Sequence, residues 1–158
     1  MTAINSNRAI RGPVTAVPVV AGKGVRLVAD TENNRIVAEV DETVLFSGSN
    51  GGMVATTLTE PLSRFESFKI CFNPFGGGMS REWKEFSWAS SSDVYTAATF
   101  HKSGNDNLAW YVAFQPNTDG TNLTPIANKL WVLGSTTVQD RTNMTVYKVV
   151  GINRVASA

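Results

Sequence analysis

Turn chemistry recurs along this chain at short intervals, in "GSNGG", "NPFGGG", "KSGNDN" and "PNTDGTN", while apolar residues at helical spacing are almost absent. Glycine supplies positive φ, asparagine and aspartate bond their own backbone, and proline presets φ, so such clusters reverse the chain. Short apolar runs between reversals are the pattern of an all-β sandwich, jelly roll or barrel. The runs predict strands near 25–30, 35–40, 43–47, 53–59, 67–73, 84–89, 94–100, 108–114, 129–134 and 144–153. In "KLWVLG" and "LAWYVAF" the apolar residues do not alternate, which predicts strands covered on both faces. A sandwich buries one face of each strand, so the second cover is expected from another subunit. A length of 158 residues allows one domain with a short appendage.

The first forty residues read differently. "RGPVTAVPVVAG" places Pro13 and Pro18 among valines, so it is extended yet barred from a sheet interior, where proline donates no ladder hydrogen bond. It is expected to be an arm. In "GVRLVADTENNRIVAEVDE", Val25, Leu27 and Ala29 are set to pair with Ile36, Ala38 and Val40 around "DTENN". Such a hairpin is at best marginally stable alone in water. An arm and a hairpin that both need neighbours suggest intertwined subunits. "VVAGKGVRLVAD" also imitates a phosphate-binding loop, but Val17 and Gly24 stand where its first glycine and its hydroxyl are required. After Gly24 a strand is expected, not a helix.

Fourteen basic and thirteen acidic residues give a net charge of +1, which offers no electrostatic case for nucleic acid or an anionic membrane. No signal-peptide core or membrane-spanning run is evident, so synthesis in the cytoplasm is expected. Cys71, the single cysteine, lies in "FKICF" and is expected to be a buried, inert thiol.

Candidates for chemistry are few. His101, the one histidine, would have to serve any Ser–His–Asp or Cys–His device, and neither a G-x-S-x-G elbow nor an exposed cysteine accompanies it. Glu82 and Glu85 sit among Trp83, Phe86 and Trp88 as a conceivable glycosidase pair, but Arg81 and Lys84 alternate with them as on a solvated strand. Asp30, Glu32, Asn34 and Asp41 imitate a calcium loop that fails at Arg35, where glycine is required. No catalytic residue, metal or cofactor is therefore expected. Trp110 and Trp131 read as core. Trp83, after the polar stretch "GGGMSRE", is either a lid on the sandwich or a stacking platform for a sugar ring.

Three segments carry a family likeness. "VPVVAGKGVRLVADTENNRIVAEVDETVLFSGS" resembles the stretch immediately after the anchoring region in phage head-fibre and prophage fibre proteins. "TLTEPLSRFESFKICF" resembles the opening of phage fibre tips, and "TVYKVVGINRVAS" is similar to their closing strand. These segments cover about half of the chain, and residues 74–140 lie outside the likeness. The resemblance implies a trimeric, β-rich, non-enzymatic virion fibre, joined to capsid or tail proteins, that attaches the particle to a bacterial surface. The expected organisation is then an arm and hairpin for trimerisation over residues 1–42 and a sandwich head over 43–158.

Receptor contact is expected in "NPFGGGMSREW" and "HKSGNDN", because consecutive glycines weaken a strand and suit a loop near a ligand. Phe75, Met79, Arg81 and Trp83 would supply apolar and cationic contacts there. His101, Lys102, Asn105 and Asp106 would supply hydrogen bonds, a set suited to a neutral or weakly acidic glycan and equally to a solvated tip without a ligand; the expected receptor is a bacterial surface glycan or protein. A free-standing carbohydrate-binding module is the main rival reading, and a polysaccharide depolymerase the third.

Overall fold

Antiparallel pairing organises the whole of a computed structural model that describes residues 25–75, 81–103 and 106–155. The expected arm, Met79 and Asn105 lie outside the described residues. Strand β1 (Val25–Asp30) begins directly after Gly24, as expected, and pairs with β2 (Arg35–Val40), with Val25, Leu27 and Ala29 opposite Val40, Ala38 and Ile36. The Asp30 carboxylate closes the turn by accepting Arg35 Nε at 2.7 Å and the Asn33 backbone N–H at 3.2 Å. The Asn33 side-chain amide, donating at 2.9 Å, and then Arg35 hold its carboxyl below the usual range. Asn34 takes the left-handed conformation, φ 50°, that asparagine tolerates in a tight turn. The hairpin forms a sheet of its own, and Ile36 is 63% exposed.

The other strands build two sheets. One is four-stranded: β3 (Glu42–Gly51), β5 (Phe65–Asn73), β6 (Glu82–Ser87) and β11 (Thr145–Arg154), in the order β3-β11-β5-β6. The second contains β7 (Tyr95–Ser103), β8 (Asp106–Pro116), β9 (Asn122–Val132) and β10 (Val138–Asp140), in the order β10-β9-β8-β7. The two-residue strand β4 (Thr56–Thr57) also pairs with β9. Because β11 inserts between β3 and β5, the end of the chain completes a sheet begun by its first half.

The two sheets face each other across one apolar core. Phe68, Ile70 and Phe72 of β5, Leu45 of β3, and Val146 and Val149 of β11 meet Tyr95, Val112, Phe114 and Leu123 from the other sheet. Ring edges lock the layers, with Phe72 against Phe114 at 5.4 Å and Phe68 against Tyr95 at 4.9 Å. Each such side chain contributes roughly 1.5–3 kcal/mol when fully buried. Leu58, Leu62, Phe65 and Met144 complete the core. The Phe65 ring lies flat on Gly151, where an added Cβ would stand 2.5 Å from a ring carbon. Trp88 stacks on Tyr95 at 6.0 Å, so it is Trp88 that covers the sandwich and not Trp83.

Three strand expectations needed correction. β9 begins at Asn122 instead of near 129, although Pro125 lies within it. The proline is accommodated because β4 covers the outer edge of β9 only at 122–123 and β10 only at 129–131, leaving no ladder partner to lose between them. The register with β8 also shifts there, at Ala113/Phe114. The run 53–59 shrinks to Thr56–Thr57 because the Asn50 side chain bonds the Val54 and Ala55 carbonyls and the Thr56 hydroxyl itself. β10, whose residues are all exposed, carries too little apolar signal to be seen in the sequence. Among the described residues, no helix is long and apolar enough to cross a membrane.

Candidate functional site

Strand pleating puts Glu82, Lys84 and Phe86 on one side of β6 and Trp83, Glu85 and Ser87 on the other. Phe86 packs on the core. Glu82 accepts the Thr99 hydroxyl at 2.8 Å, tying the edge strand β6 to β7 of the opposing sheet. Trp83 is therefore turned to the outer face of the four-stranded sheet, where it is 50% exposed. Across that face, hydrogen-bonded register sets Ser47, Lys148, Cys71 and Trp83 in one row. Val44, Val150, Lys69 and Glu85 form the next.

Two grooves meet at Trp83. The larger, about 490 Å³, is lined by Glu42, Lys69, Lys84, Glu85, Lys148 and Val150. Its neighbour, about 350 Å³, is lined by Ser47, Gly48, Cys71, Arg81, Tyr147 and Lys148. Trp83 and Lys148 belong to both. Lys69 Nζ pairs with Glu42 at 2.6 Å, and Glu85 accepts the Ser67 hydroxyl at 3.2 Å. The Arg81 guanidinium lies 4.0 Å over the Tyr147 ring, a cation–π contact that keeps its N–H groups at the groove. Cys71 is buried, as expected, but on this outer side, beside Trp83 and Lys148, and not between the sheets. Burial pushes its thiol pKa up, against the opposing pull of the Arg81 and Lys148 charges.

The residues singled out from sequence thus divide. Arg81 and Trp83 share the outer groove. Phe75 instead turns inward: its ring meets Trp110 at 4.1 Å and His101 at 5.4 Å. The segment around it is pinned, since Asn128 Nδ2 donates to the Pro74 carbonyl at 2.9 Å and Asn143 Nδ2 to the Phe75 carbonyl. Lys102 and Asp106 are exposed at the β7–β8 hairpin. Lys69, Tyr147 and Lys148 were not among the predicted site residues. The signal for the lysines was present in "FKICF" and "TVYKVV", where one charged residue interrupts an apolar strand and must leave the core. Tyr147 joins them because the register shifts at Val146/Lys148.

The outer face of the five-stranded sheet is different. Phe100, Ala109, Trp131 and Val138 lie in one row across it, and Phe100 is 75% exposed. Trp131, expected in the core, stands here with its ring 6.4 Å from Tyr111. Only Trp110 of that pair is buried. The uninterrupted apolar runs are explained: each strand has a core face and a second apolar face on the outside.

The carboxylates Glu82 and Glu85 point to opposite sides of one strand, so they cannot face each other across a cleft. Asp30 is occupied by Asn33 and Arg35, and no group of three or more candidate metal ligands occurs among the described residues. Compared with known proteins, the chain matches no family model and no curated sequence.

Proposed function

We propose that the chain is a non-enzymatic virion fibre protein of a phage or prophage, which attaches the particle to a bacterial surface through the outer face of its four-stranded sheet. The observation that carries this reading is Trp83, half-exposed on strand β6 at the junction of two grooves. A large apolar ring costs solvation unless something covers it, and its flat face with flanking polar groups suits a sugar ring. The site moves from the expected loops to a sheet face, which holds side chains with greater precision.

In this reading residues 1–42 trimerise, the head is of jelly-roll type, and the fibre joins capsid or tail proteins in the virion. Neither nucleic acid nor membrane insertion is involved. The apolar row Phe100, Ala109, Trp131 and Val138, exposed at its two ends, supports association between copies, which would bury it. A monomeric carbohydrate-binding module is the second reading, favoured by the same tryptophan. The mass in solution separates them, because about 17 kDa excludes the trimer.

The site is tested by Trp83→Ala. The variant should keep the parent's mass and melting behaviour but compete less well with virions for adsorption to host cells. Unchanged competition removes the site, and an unfolded variant shows Trp83 to be structural.

A further inference from the structure

The smaller groove beside Trp83 is asymmetric in charge. Its lining includes two cations, Arg81 and Lys148, and no carboxylate. The nearby acids on the same face are engaged, Glu42 by Lys69 and Glu85 by Ser67. Lys148 has neither an ion pair nor a side-chain hydrogen bond among the described residues. It sits on β11, in the interior of the sheet, and is partly buried. Lys148 and Trp83 are two strands apart in one register row, with Cys71 between them. At about 4.8 Å per strand, their backbones lie roughly 10 Å apart. A pyranose ring on the indole spans part of that distance, and the lysine stem covers the rest.

We propose that this groove takes an anionic saccharide, with a sugar ring stacked on Trp83 and its carboxylate held by Lys148 and Arg81. The inference rests on the reading of Trp83 as the ligand platform and adds the class of ligand. A nearly neutral chain has no long-range field to attract anions. Selectivity must then come from these two contacts at short range. Tyr147 contributes by holding the guanidinium in place, so its ordering cost is met before the ligand arrives.

The test is titration calorimetry of the full chain with oligogalacturonate and with its methyl ester, in which each carboxylate charge is replaced by a neutral ester of nearly the same shape. The acid should bind about five- to tenfold more tightly at low salt, the effect of two partly exposed ion pairs. The preference should fade near about 0.5 M salt as screening shortens. Lys148→Met should reduce the preference for the acid to about two- to threefold, the share of the one pair left at Arg81, while Lys148→Arg keeps it in full. Melting curves of both variants confirm the fold.

Equal binding of acid and ester by the parent, or a preference that Lys148→Met leaves undiminished, overturns the proposal. Trp83→Ala reads the underlying site separately. If that variant loses both ligands while the parent does not discriminate, the platform stands and the anionic specificity falls. If neither ligand binds the parent, both are overturned.

Discussion

The two sheets of this molecule share one core and turn unlike faces outward. On the four-stranded sheet the outer residues mix Trp83 with Lys69, Glu85, Lys148 and Glu42, and the Lys69–Glu42 ion pair reaches across β11 to join β5 to β3. On the five-stranded sheet the outer row runs Phe100, Ala109, Trp131 and Val138 without a charge. The adjacent row holds one pair, Lys129 with Asp140 at 3.6 Å. Folding demands only that each strand place apolar residues inward. What it leaves free on the outside is used in two ways, one suited to a polar ligand and the other to apolar contact. In the proposed reading, the difference separates recognition from association within a single fold.

The largest effect should come from removing what the faces share. Phe72→Ala deletes a fully buried ring wedged against Phe114 and should cost about 3–5 kcal/mol. Denaturant titration followed by tryptophan fluorescence and by circular dichroism should then show both sheets unfolding in one shifted transition. Separate transitions would show that the sheets do not depend on a common core.

Acid should loosen the ionic clamp at the end of the four-stranded sheet. Glu60 accepts Arg154 through two bonds, of 2.6 and 2.7 Å, and Arg64 at 3.2 Å, which joins the end of β11 to the turn before β5. The bonds from Arg154, opposed by partial burial and aided by Arg64, lower its pKa to about 2 from an ordinary 4.5. A depressed carboxyl pKa stabilises the fold above the unfolded value and loses that contribution as pH falls through the folded one. The melting temperature should therefore drop between about pH 4.5 and pH 2, and Glu60→Gln should flatten part of this drop. An unaltered acid profile in the variant would show that the Arg154 clamp adds nothing to stability.

The smallest effect on stability is expected at Phe100, where Phe100→Ser removes a ring already 75% exposed. Melting of the dilute protein should hardly change, since surface substitutions stay within about 0.5 kcal/mol. Self-association, read by light scattering across concentration, should fall. Should the assembly persist unchanged, this face is not where copies meet.

Much of the fold is legible in the sequence because the turn residues and short apolar runs act locally. The hairpin register comes from alternation in "VRLVAD" and "RIVAEV", and β5 from "FKICF". Legibility stops where a distant partner decides the outcome. Pro125 argues against a strand, yet β9 tolerates it because both of its edge partners stop short of that point. Trp83 comes after a glycine-rich stretch that reads as a loop, but pairing with Cys71 draws it into β6. Phe75 reads as a ligand contact, whereas Trp110, His101 and Asn143 supply its surroundings in the folded chain.

By itself, then, the sequence determined the class of fold, the position of most strands and the presence of surplus apolar faces, because period-two patterning and turn chemistry are properties of neighbouring residues. Only the tertiary structure decided which strands adjoin, and with that the composition of every surface. Lys148 and Trp83 are separated by 65 positions in the chain and share a groove solely because β11 inserts beside β5. The order of strands in a sheet is selected by the burial of the whole core, and no local run of residues carries that information.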